Sequence, residues 1–212
     1  MFRRGMTSLA VAGVFSLVVG VPSVMADTTG GGNADTYQAF GGWSAGDSNV
    51  NVGATIGTVD GESVHIMDIG SFIVQDVTCK KGGKSTAGSI LTFIFGESTD
   101  ATIKIDKALG HATASATMDA QQEVINSCTN KDVITQVTVS ATLELTATTG
   151  TTTVKSRSVT IFPDGSKETF TDRFDSRDGG GNMSIGTAAY PAQFGSVAHD
   201  VSTDVVTPPP HH

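Results

Sequence analysis

Cysteine occurs only twice in the 212 residues, at Cys79 and Cys128. The pair lacks C-x-x-C spacing, and no further ligands stand close enough in sequence to complete a thiolate metal site, so neither a redox couple nor a zinc box is read here. Histidine is equally sparse. Outside the terminal pair His211 and His212 there are only His65, His111 and His199, none in a recognisable triad, and no G-x-S-x-G elbow occurs. The familiar hydrolase arrangements are therefore not encoded as motifs. Aromatic residues make up 6% of the chain, with a single Trp, and Tyr37, Phe40 and Trp43 cluster early, where core packing accounts for them. Basic residues are outnumbered 13 to 21 by acidic ones, leaving a net charge of −8. Such a surface repels phosphate backbones and anionic lipid, so no nucleic-acid partner is expected.

A long apolar run is also missing, except at the start. MFRRGMTSLAVAGVFSLVVGVPSVMA has basic Arg3 and Arg4, an apolar stretch from Leu9 to Val19, and small residues before a cleavage point after Ala26. This is the layout of a secretory signal peptide, too short and wrongly flanked for a membrane anchor. Residues 1–26 are read as that signal, by the general or the twin-arginine route, and the mature protein as secreted with no transmembrane segment. In an oxidising compartment the two cysteines form one disulfide, Cys79–Cys128. Closing a loop of 49 residues contributes about 4 kcal/mol by chain entropy.

What the chain has in abundance is alternation. In KDVITQVTVSATLELTATTG, Val133, Val137, Val139, Ala141, Leu143, Leu145 and Ala147 hold odd positions, with mostly polar residues between them. A period of two over that length puts one face on a core and the other in water. TTTVKSRSVTIF and SKETFTDRFDSR follow, entered through Thr149-Gly150 and Pro163-Asp164-Gly165, so an antiparallel meander is expected over 131–190. Upstream, Val50, Val52, Ala54 and Ile56 alternate, and Asp60-Gly61 marks a hairpin turn. ESVHIMDIGSFIVQDVTC and SILTFIFG are apolar on both faces, which suits strands buried between layers, the first with a bulge or a break at Gly70. DAQQEVINSC is the one stretch where helix competes.

The domain reading is a flexible Gly-rich leader over 27–35, a single β domain over 36–190, and an irregular tail over 191–212. The fold expected is an all-β antiparallel sandwich of about ten strands; the alternative is a closed up-and-down barrel.

Candidate chemistry concentrates in the meander. Arg157, Arg173, Asp172, Asp175 and Arg177 are expected to form a charged surface stripe, as a ladder of opposite charges or as a recognition surface for a carboxylate or a sugar. Asp172, Asp175 and Asp178 precede a triple glycine, but the spacing is not that of a calcium loop, and Arg173 and Arg177 interleave with the acids. No metal and no cofactor is expected.

The order of signal peptide, Gly-rich leader, VTVSAT, KSRS and ETFTDRF resembles uncharacterised secreted proteins of Gram-positive, high-GC bacteria. The resemblance implies export and transfers no activity. The functional expectation is an exported, non-catalytic binding or surface-interaction protein of unknown partner. The alternatives are a barrel carrier with a cavity lined by Phe93, Phe95, Leu143 and Leu145, and a secreted hydrolase with its site on loops.

Overall fold

The computed structural model describes residues 32–209; the signal segment and the terminal histidines lie outside them. All the regular structure there is strand. Ten strands follow in order: β1 (Asn33–Ala45), β2 (Ser48–Val59), β3 (Glu62–Lys81), β4 (Lys84–Ser98), β5 (Thr102–Ile105), β6 (His111–Asn126), β7 (Lys131–Ala147), β8 (Thr152–Ile161), β9 (Lys167–Ile185) and β10 (Ala188–Thr207). Every pairing is antiparallel. Asp60 and Gly61 both take positive φ, 53° and 82°, as a tight two-residue hairpin between twisted strands requires.

The strands belong to one sheet, ordered β10-β1-β2-β3-β4-β6-β7-β9-β8, and β10 pairs with β9 as well as with β1. Pairing therefore continues around a closed circuit. On it, β5 extends the lane of β4 along β6, and β8 extends the lane of β7 along β9. Across the interior, β1 and β2 face β5 and β7, so two layers pack against each other and hydrogen bonding runs around both edges. The closeness is visible at Gly41, where a Cβ would stand 2.7 Å from a methyl of Leu143.

Alternation explains the layering. Val50 and Val52 on β2, Met67 and Ile69 on β3, Met118 on β6, Leu143 and Leu145 on β7, and Met183 on β9 all point inward into one apolar core. Their neighbours along β6 and β7, such as Ser115, Thr117, Asp119, Ser140, Thr142 and Glu144, are exposed on the outer face. Among the described residues no helix is long and apolar enough to cross a membrane.

Several local expectations are corrected. The tail from Pro191 is not irregular, because residues 188–207 form β10 and pair with both β1 and β9. The register shift between Ala192 and Gly195 moves the inward phase from even to odd residues, which hides the strand from a period-two reading. β1 starts at Asn33, inside the expected leader. β3 runs through Gly70 with no bulge or break in its pairing to β2 and β4. DAQQEVIN belongs to β6.

Candidate functional site

β7 stops at Ala147 because Thr148–Thr151 leave the sheet, and β8 resumes along the first half of β9. Together β8, residues 167–176 of β9, the end of β10 and the start of β1 run past the loops that close this end of the core, forming a lip. Arg177 marks the boundary. Its Nε donates to the Thr149 carbonyl at 2.8 Å and its guanidinium reaches the Ala108 carbonyl at 3.3 Å, tying both loops over the core end.

On the lip, the face continuous with the core changes character. Val197 and Ala39 are the last buried apolar pair, and the next row outward places Tyr37, His199, Asp175 and Thr153 side by side on β1, β10, β9 and β8. Tyr37 stacks on His199 with ring centroids 4.1 Å apart. His199 Nε2 lies 2.7 Å from Asp35 Oδ1. Asp175, only 8% exposed, accepts from the Thr153 hydroxyl at 2.5 Å and pairs with Arg173 at 2.8 Å. The Thr153 hydrogen bond, opposed by desolvation and assisted by Arg173, holds the Asp175 carboxyl below its ordinary range. Lys155 and Arg157 stand exposed in the rows beyond, opposite Arg173 and Thr171 on β9. Neither has a carboxylate within ion-pair distance among the described residues.

The opposite face of the lip is acidic. Asp172 and Asp200 form one carboxylate pair across β9 and β10, and Glu168 and Asp204 form a second, each pair near enough to share a hydrogen bond. Burial, then the hydrogen bond and charge of Asp172, push Asp200 up to about 6. The nearby charge of Asp204 raises Glu168. One oxygen each of Asp200 and Asp204 is buried without a hydrogen-bond partner among the described residues.

The expected stripe is thus divided. Arg157, Arg173, Asp175 and Arg177 share the core-continuous face rather than an outer one, and Asp172 sits on the other side, as the period of two requires. Tyr37, Asp35 and His199 complete the inner face; the sequence reading took Tyr37 as core packing and did not bring the three together. Their signal was the odd-numbered alternation of β1, but β10 was not recognised as its partner.

Leu143 and Leu145 are interior, whereas Phe93 and Phe95 point outward, so those four line no common space. Cys79 and Cys128 stand at disulfide distance, their Cα atoms 5.1 Å apart. Among the described residues no group of three or more His, Cys, Asp or Glu is arranged to hold a metal ion. Compared with protein-family models, curated proteins and solved structures, the chain shows no match.

Proposed function

We propose that this is an exported, non-catalytic binding protein that uses the inner face of the lip to hold an anionic ligand carrying a ring, such as an acidic sugar. The reading rests on one observation: the core-facing side of the sheet continues past Arg177 as a row of polar and charged groups. There Tyr37 and His199 offer a stacking surface, and Lys155 and Arg157 are cations with no ion-pair partner among the described residues. Cations further along the same face can meet a carboxylate while a ring packs on the stack. Export is supported by the residues 1–26 pattern and by the Cys79–Cys128 pair. The resemblance to secreted proteins of high-GC Gram-positive bacteria points the same way.

Titration of isotopically labelled protein with uronic-acid oligosaccharides tests this. Saturable shifts at Tyr37, His199 and Arg157, lost in Arg157→Gln and absent with neutral oligosaccharides, are the expected result. Equal response to neutral and acidic sugars, or none to either, defeats the reading. Turnover of the ligand would favour a hydrolase built on His199 and Asp35. The hydroxyls on this face are already engaged, Thr153 with Asp175 and Thr171 with Thr203.

A further inference from the structure

The two runs that are apolar on both faces, in β3 and β4, are not buried on both sides. Their inner residues Met67, Ile69, Ile73 and Ile94 meet the core, and their outer residues make a patch on the surface. Phe72 stacks on Phe93 across the strands at 4.7 Å, and Phe95 follows at 6.4 Å. Val74, Leu91 and Ile125 extend the strip over three strands, with Ile134 on β7 at its margin. Phe95 is 50% exposed and Ile134 58% exposed, whereas the neighbouring outer face of β6 and β7 carries Ser115, Thr117, Asp119, Thr138, Ser140 and Thr142. A contiguous apolar surface of this kind marks an interaction site.

Its rim is acidic. Asp68 and Glu97 are directly opposed across β3 and β4 on this face, Glu123 is opposite Phe93, and Asp76 and Asp132 lie toward the hairpin ends. None of the five is within ion-pair distance of a Lys, Arg or His among the described residues. The one cation on this face of β3, Lys80, is at the hairpin tip. Like charges directly opposed across strands destabilise a sheet. Burial and the Glu97 charge accordingly raise the Asp68 carboxyl. The Cys79–Cys128 link ties the ends of β3 and β6 together over Gly88 on the reverse side of the same strands.

We infer that the outer face of β3, β4 and β6 docks a basic amphipathic segment of another protein, its apolar side chains covering Phe72, Phe93 and Phe95 and its lysines or arginines meeting Asp68, Glu97 and Glu123. The charge chooses the occupant. A second copy would bring an identical acidic rim against this one, and anionic lipid would be repelled in the same way. A neutral sugar could use the rings but would leave the opposed carboxylates unrelieved. A cationic partner relieves them and buries the strip in one step.

The experiment uses the secreted protein with its disulfide intact and a short fluorophore-labelled peptide of Lys and Leu residues, read by anisotropy. Saturable binding is expected, weakened by salt, and absent for the Glu/Leu and Lys/Ser versions of the peptide. Phe93→Ser should weaken it by about tenfold or more. The double variant Asp68→Asn, Glu97→Gln removes a repulsion, so it folds, and should weaken binding by a similar factor while abolishing most of the salt dependence. Equal binding of the Glu/Leu peptide, or wild-type affinity in the double variant, overturns the proposal. So does sedimentation showing that Phe95→Ser dissociates a dimer. The lip variant Arg157→Gln reports separately on the anionic-ligand site, so the two readings fail independently.

Discussion

Tyr37 lies flat on His199, the two ring planes differing by 7°. They are directly opposed on β1 and β10, and the imidazole also reaches Asp35. Stacked rings at such a site contribute about 0.5–1.5 kcal/mol beyond the area they bury. Asp35 is largely exposed, so its contact with His199 adds about 1 kcal/mol at most. A double-mutant cycle with Tyr37→Ala and His199→Ala, followed by urea unfolding, should return a coupling in the stacking range. A coupling indistinguishable from zero would mean the two rings are adjacent without holding each other.

The two faces of the lip should respond to acid in opposite senses. Asp200 titrates near 6 in the folded chain, against an ordinary 3.8, with Asp172 on its face and His199 acting the other way. Between those values the folded state holds more protons than the unfolded one. Stability from this group therefore falls as pH rises from about 4 to about 6 and is flat above. Asp175 is depressed, so its contribution is complete above the ordinary carboxylate range and lost as pH falls through and below it. Asp200→Asn should be more stable than the parent at neutral pH and lose that advantage near pH 4. Urea midpoints across this range decide it, and an unchanged pH slope in Asp200→Asn would reject the assignment.

How much of this was legible depended on whether a strand kept a single phase. Residues 137–147 did, and their inward faces follow the sequence pattern directly, with Leu143 and Leu145 in the core, whereas Val133, in phase with them, lies beyond the core end and is 49% exposed. β10 did not, because its register shift places Ala192 and Val197 inward from opposite parities. Losing that strand also concealed the inner face of the lip, since Tyr37 and Asp175 become neighbours only through His199. The doubly apolar runs misled for a different reason. Sequence records that Phe93 and Phe95 are apolar, but not whether a second layer covers them.

Gly88 is where β4 passes beneath the disulfide. A Cβ there would collide with the Cys79 sulfur and stand 2.9 Å from that of Cys128. Gly88→Val should therefore slow or prevent bridge formation during folding, leaving two reactive thiols that mass analysis after alkylation would count. The double variant Cys79→Ser, Cys128→Ser should lose about 2–4 kcal/mol in urea unfolding. If Gly88→Val forms the bridge in full and unfolds at the parental urea concentration, the close approach at this position is not limiting.

Arg177 should prove more important than a half-buried surface charge. It is the last residue on the inner face of β9 before the lip, and it donates to two loop carbonyls that close the core end, those of Thr149 and Ala108. Other bonds assist: Ala147 N–H donates to the Gly110 carbonyl, and Asp178 N–H donates to the Thr149 hydroxyl. Among the described residues, Arg177 alone joins both loops to one side chain. Arg177→Leu keeps much of the apolar stem but hands both exposed carbonyls to water, a loss of about 1 kcal/mol. Arg177→Lys cannot present the planar fork and should fall between the two. The loops would then open before the sheet does. Trypsin cleavage after Lys107 under native conditions should accelerate in Arg177→Leu more than the change in global stability requires. Cleavage that merely tracks global unfolding would show that the backbone bonds hold the loops without the guanidinium.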